Sequence, residues 1–140
     1  MRTMPTWFRV VAVVLVLWGL MGAYACIQQF RLGAEAMGPA TDYDRELFAS
    51  LPVWYNWVYA LAVSTGLAGA AALLAGRRGA LPLLIASLVF VVIQFGYLFA
   101  TSDIVAVKGV WTTYFPAFIV VVGVVQIALA RVGIRRGWLR

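Results

Sequence analysis

The side chains with chemical capacity inside the long apolar stretches of this chain are amides, phenols and hydroxyls. Those that cluster toward the outer half are Gln28, Gln29, Asn56, Tyr59, Gln94, Tyr97, Thr101, Thr112 and Thr113, with Trp54, Trp57 and Trp111 close by, while Gln126 stands alone near the inner end of the fourth span. Gln94 and Tyr97 stand three residues apart, the spacing that places two side chains on one helical face. Amides and aromatic rings together suit a neutral ligand, a sugar or a lipid headgroup, so Gln94, Tyr97, Asn56 and Tyr59 are the candidate binding set. The same groups also serve as hydrogen-bonding glue between helices, with Trp and Tyr forming an interfacial belt.

Other chemistry is excluded by what the chain lacks. It has no histidine and one cysteine, Cys26, so the usual ligands for zinc, copper, haem and iron-sulfur clusters are missing and no cofactor is expected. The commonest general base is missing too, and no Ser, Thr or Cys sits in a recognisable nucleophile motif. The expectation is a protein that is not an enzyme. Cys26 reads as a small apolar packing residue near the end of the first helix.

These residues are carried by four stretches without Asp, Glu, Lys or Arg: residues 10–30, 47–76, 79–102 and 109–130, of 21, 30, 24 and 22 residues. A hydrocarbon core about 30 Å thick needs roughly 20 apolar helical residues. Each stretch is apolar all round, a pattern that lipid or complete burial tolerates. The fold expected is an all-α integral membrane protein, one domain over residues 1–140, with spans at about 8–30, 53–75, 81–101 and 112–131. Arg9, the long apolar run and Ala23-Tyr24-Ala25 imitate a signal peptide, but the run exceeds a usual apolar region of that kind, so retention as a span is expected.

Charge sets the expected orientation. Glu35, Asp42, Asp44, Glu46 and Asp103 share two loops with Arg31, Arg45 and Lys108, whereas Arg2, Arg9, Arg77, Arg78, Arg131, Arg135, Arg136 and Arg140 fall in the alternating segments without one carboxylate. Basic residues are retained on the cytoplasmic side of short loops, which puts both termini and the turn at residues 76–80 inside. The net charge of +6 flanks spans rather than forming a run with exposed aromatics, so membrane lipids and not nucleic acid are the partners it implies. No acid remains within the apolar stretches for proton or cation coupling.

Local signals refine this outline. Pro5, Pro52 and Pro82 open helices, and Gly76 with Gly79 makes a tight turn that sets the second and third spans antiparallel. Thr41-Asp42-Tyr43-Asp44 resembles a capping box, with Tyr43, Leu47 and Leu51 on one face, which predicts a short amphipathic helix on the outer membrane surface. Pro116 predicts a modest kink early in the fourth span, its freed carbonyl served by Thr112 or Thr113. Gly19/Ala23, Ala62/Gly66/Ala70 and Gly96/Ala100 repeat small residues at four-residue spacing, which lets helix backbones approach within the bundle or against another subunit. Residues 53–78 and 110–135 match at eight positions with an offset of 57, Gly66 and Gly123 among them.

Pro5-Thr6-Trp7-Phe8-Arg9-Val10, Leu17-Trp18-Gly19-Leu20-Met21-Gly22, Arg78-Gly79-Ala80-Leu81-Pro82 and Gln94-Phe95-Gly96-Tyr97 resemble segments of a group of small four-span bacterial inner-membrane proteins often labelled "sugar transporter". The resemblance implies a bacterial inner membrane and the same four-span topology, and assigns no residue a role. The function expected is association between helices, as a homo-oligomer or as the accessory subunit of a membrane complex. The alternative is a facilitator or binder of a small neutral solute or lipid without proton coupling.

Overall fold

The computed structural model describes residues 4–35 and 41–139. Arg2 and Arg140, two of the arginines that set the charge bias, lie outside the described residues. The elements are α1 (Thr6–Leu32), α2 (Asp42–Ser50), α3 (Val53–Leu74), α4 (Ala80–Thr101), α5 (Ile104–Lys108) and α6 (Tyr114–Arg135), with short 3-10 turns at Gly33–Glu35 and Val110–Thr113. No strand occurs among the described residues. Four helical segments, Thr6–Leu32, Val53–Leu74, Ala80–Thr101 and Val110–Arg135, are long and apolar enough to cross a membrane. The chain is a multi-pass membrane protein built as a helical bundle.

The helix ends follow from local chemistry. Pro5 and Pro52 are the N-cap residues of α1 and α3, and Pro82 falls in the first turn of α4, where a missing N–H costs nothing. At the end of α3, Gly76 takes φ +73°; its N–H donates to Leu73 O at 3.1 Å and that of Arg77 donates to Ala72 O at 2.8 Å. This paired closure turns the chain sharply into α4, making α3 and α4 antiparallel partners. Gly137, at φ +77°, closes α6 the same way, through its own N–H to Ile134 O and that of Trp138 to Gly133 O.

The threonines near Pro116 have other partners than the carbonyl they were expected to serve. Because α6 starts at Tyr114, the proline is its third residue, where no intrahelical donor is required. The hydroxyls of Thr112 and Thr113 donate back to Gly109 O and Val110 O, stabilising the 3-10 turn before α6 rather than serving a carbonyl freed by proline.

Packing is densest at the arginine-bearing end of the bundle. Phe8, Ala12, Leu15, Ala70, Leu73, Ala80, Leu84, Ala130 and Leu139 form one buried cluster drawn from all four spans and the residues after α6. Alanine at four of these positions lets the helices cross closely. Helix α3 lies between α1 and α4, and α4 lies between α3 and α6. Trp18 of α1 meets Phe118 of α6 with ring centroids 5.6 Å apart, so these two helices also touch.

Glycines mark the close approaches. A Cβ at Gly19 would lie 3.0 Å from Leu67, at Gly66 2.9 Å from Ser87, and at Gly69 2.7 Å from Leu84. One at Gly123 would lie 3.0 Å from Leu88, so Gly66 and Gly123, related by the 57-residue offset, both face neighbouring residues of α4. The second-span ridge is therefore used inside the bundle, with Ala62 and Ala70 buried beside it. Gly96 differs: no atom of a neighbouring element lies within 4 Å of its built Cβ.

Candidate functional site

Helix α3 carries polar side chains on two sides of the carboxylate-bearing half of the bundle. Toward α1, the Gln29 amide Nε2 donates to Asn56 Oδ1 at 2.6 Å. Tyr59, one turn further along α3, is on the side of Cys26. Toward α4, the ring of Trp54 meets Tyr97 at 4.8 Å and 73°, and Tyr55 approaches the same ring at 6.2 Å. Tyr55 and Gln94 are both buried on this side of α3.

The four candidate residues thus divide into two pairs. Asn56 and Tyr59 address α1, whereas Gln94 and Tyr97 meet the start of α3 from the α4 side. Tyr55, 4% exposed, links the pairs, being one residue from Asn56 and four from Tyr59. Its importance was not legible in the sequence, where it is one of three aromatic residues among Trp54, Tyr55 and Trp57. Only the rotation of α3 distinguishes the one that points inward.

A groove of about 320 Å³ opens beside Asn56, between the end of α1, α2 and the start of α3. Phe30, Phe48, Leu51, Pro52 and Trp57 supply apolar walls, and Asn56 supplies an amide whose oxygen is already engaged by Gln29. Gln94, Tyr97 and Tyr59 do not line it. Nearby, Gln28 Nε2 donates to the Tyr24 hydroxyl at 2.9 Å, while Gln28 Oε1 is buried with no hydrogen-bond partner among the described residues.

The two loops at this end are joined. The Tyr43 hydroxyl donates to Asp103 Oδ1 at 2.7 Å, and Lys108 pairs with Asp44. Asp44 also closes the capping box expected at Thr41, accepting from Thr41 N at 2.9 Å while its own N–H donates to Thr41 Oγ1 at 3.2 Å. Lys108 and then the Thr41 N–H hold the Asp44 carboxyl down to about 2. Donation to the Asp103 carboxylate pushes the Tyr43 phenol up to about 12. Arg45 pairs with Asp42 within α2 at 3.3 Å and with Glu35 at 2.9 Å, the second pair linking α2 to the turn that follows α1.

The polar contacts of this half are hydrogen bonds and ring contacts between elements; no group of three metal-ligating side chains occurs among the described residues. No protein-family model, curated protein or solved structure matches this chain.

Proposed function

We propose that the chain is a non-enzymatic bacterial inner-membrane protein that acts by helix–helix association, as a homo-oligomer or an accessory subunit, with both termini cytoplasmic. One observation carries the reading. Gly19, Gly66, Gly69 and Gly123 are each met by a side chain of a facing helix, while Gly96, on the exposed face of α4 with exposed Ala100 one turn away, meets nothing. Small residues at such spacing let a second helix approach closely, and packing rather than the hydrophobic effect drives association in lipid.

Several features accompany this reading. The arginines flanking the spans support the orientation, and the half-buried Tyr43, Leu47 and Phe48 of α2 support its lying on the outer membrane surface. The resemblance to small four-span bacterial proteins supports the membrane named. Purification in mild detergent followed by mass spectrometry of the intact particle tests the proposal. It predicts a stable complex, of copies or with a co-purifying membrane protein, and a strictly monomeric particle contradicts it.

A second reading, binding of a lipid or neutral solute without proton coupling, is favoured by the groove at Asn56. Its largely apolar walls suit an acyl chain better than a sugar. Transport under this reading requires Gln94, Tyr97, Asn56 and Tyr59 to share one hydrated path. Proteoliposome uptake comparing Gln94→Leu with the parent decides that requirement.

A further inference from the structure

The arginine-bearing end contains a device that a topology signal alone does not require. After α6, the turn at Gly137 sends Trp138 and Leu139 back against the bundle, where Leu139 is 2% exposed. Leu139 seats on Gly133 and Phe8: a Cβ at Gly133 would fall 2.9 Å from Leu139 and 3.2 Å from Phe8. Trp138 packs edge-to-face on Phe8 at 5.2 Å and on Trp7 at 5.8 Å. These two residues form a hook that packs the end of α6 against the start of α1.

Two guanidinia are held by this hook from different parts of the chain. Arg78, from the α3–α4 turn, directs its Nε–H at Leu139 O in a long hydrogen bond of 3.5 Å. Arg136 places its guanidinium 6.0 Å from the Trp138 ring centroid. Among the described residues no carboxylate pairs with either, since the ion pairs Arg45–Glu35, Arg45–Asp42 and Lys108–Asp44 all lie at the other end. Arg78 and Arg136 are exposed, as are the adjoining Arg77 and Arg135. Orientation by charge needs only cations near the ends of spans. Here the cations are also positioned, with tryptophans at the same level.

We propose that the hook and the guanidinia of Arg78 and Arg136 form a binding site for the phosphodiester of an anionic membrane phospholipid. Guanidinium groups fit phosphate oxygens in a bidentate fork, and a fork already held in place loses less freedom on binding than a free side chain. Trp7 and Trp138 belong at headgroup depth, where their rings border the acyl region. Among the described residues, a lipid phosphate arriving at this end of the bundle meets positive charge with no carboxylate paired to it. The charge complementarity therefore selects the headgroup, and the fixed geometry separates this site from general attraction of basic residues to a charged surface.

The test is native mass spectrometry of the full chain in detergent with equal amounts of phosphatidylglycerol and phosphatidylcholine. Retention of phosphatidylglycerol over phosphatidylcholine is expected, falling several-fold in Arg78→Gln and Arg136→Gln and remaining in Arg9→Gln and Arg131→Gln. Leu139→Ser, which releases the hook without changing charge, should lower the preference as well, with circular dichroism verifying that the spans remain helical. Arg78→Lys should recover only part of it, because a point charge lacks the fork. Equal retention of both lipids, equal loss in every arginine variant, or an unaltered preference in Leu139→Ser would overturn the proposal. Displacement of the lipid by millimolar inorganic phosphate would overturn it too, by showing a site for free anion.

Discussion

Asp44 of α2 and Lys108 of α5 form an ion pair that ties the first carboxylate-bearing loop to the second. The same carboxylate caps α2, so one residue serves both the helix start and the contact between loops. With its folded value lowered to about 2 from an ordinary 3.8, its contribution is complete above the ordinary value and is lost as pH falls from there toward about 2. Solvent access keeps the pair to about 0.5 kcal/mol. Lys108→Met should weaken that acid transition and loosen α5 while leaving α2 helical, whereas Thr41→Ala should cost α2 about 1 kcal/mol through loss of its cap. Hydrogen exchange of the two loop helices distinguishes these effects.

Tyr43 offers a second, independent handle on the same contact. Its phenol is raised to about 12 from an ordinary 10, chiefly by donating to Asp103. The link is fully present below the ordinary value and is lost as pH rises toward about 12. The ultraviolet difference between the parent and Tyr43→Phe should therefore show a phenol ionising well above pH 10. A normal titration for that residue would show the loops to be unlinked.

Glycine substitutions should separate inward from outward faces of the spans. Gly69→Ala puts a Cβ 2.7 Å from Leu84 and should destabilise the bundle by about 1–3 kcal/mol through overpacking. Gly96→Ala meets nothing and should change stability by less than about 0.5 kcal/mol. Unfolding in mixed detergent micelles gives both values.

The amide bond across α1 and α3 makes a smaller demand. Gln29→Leu removes the donor to Asn56 and should cost about 0.6 kcal/mol, the average for hydrogen bonds between membrane helices. In the same assay Gln94→Leu should be destabilising as well, since Gln94 is a buried polar residue 6% exposed between helices. If both variants instead retain full stability, the polar residues are not packing glue, and the ligand reading gains.

Much of this bundle was legible because membrane spans announce themselves by length and uninterrupted apolar character. Residues 10–30 and 79–102 led to α1 and α4 within a few positions, and Gly76 with Gly79 identified the α3–α4 turn. Thr41 and Asp44 marked the α2 cap for a similar reason: the motif is local. Less legible were features set by helix rotation. Gly66 and Gly96 look alike in sequence, each followed or preceded by a small residue four positions away, yet one faces Ser87 and the other faces outward. The hook was missed because Trp138 and Leu139 form no periodic pattern; their burial depends on the space left by Gly133 beside Phe8. The candidate set was split for the same geometric reason, since Asn56 and Tyr59 leave α3 toward α1, while Gln94 approaches from α4.

The central claim, association through the exposed face of α4, is tested most directly by a photoreactive residue placed at Ala100 and, for comparison, at Leu17 on the exposed face of α1. Adducts in native membranes should show Ala100 captured by a second copy or a single partner protein and Leu17 by lipid, with Gly96→Leu suppressing the protein adduct by at least about tenfold, equivalent to about 1.4 kcal/mol. Lipid adducts alone from Ala100, or a protein adduct unaffected by Gly96→Leu, would contradict the account.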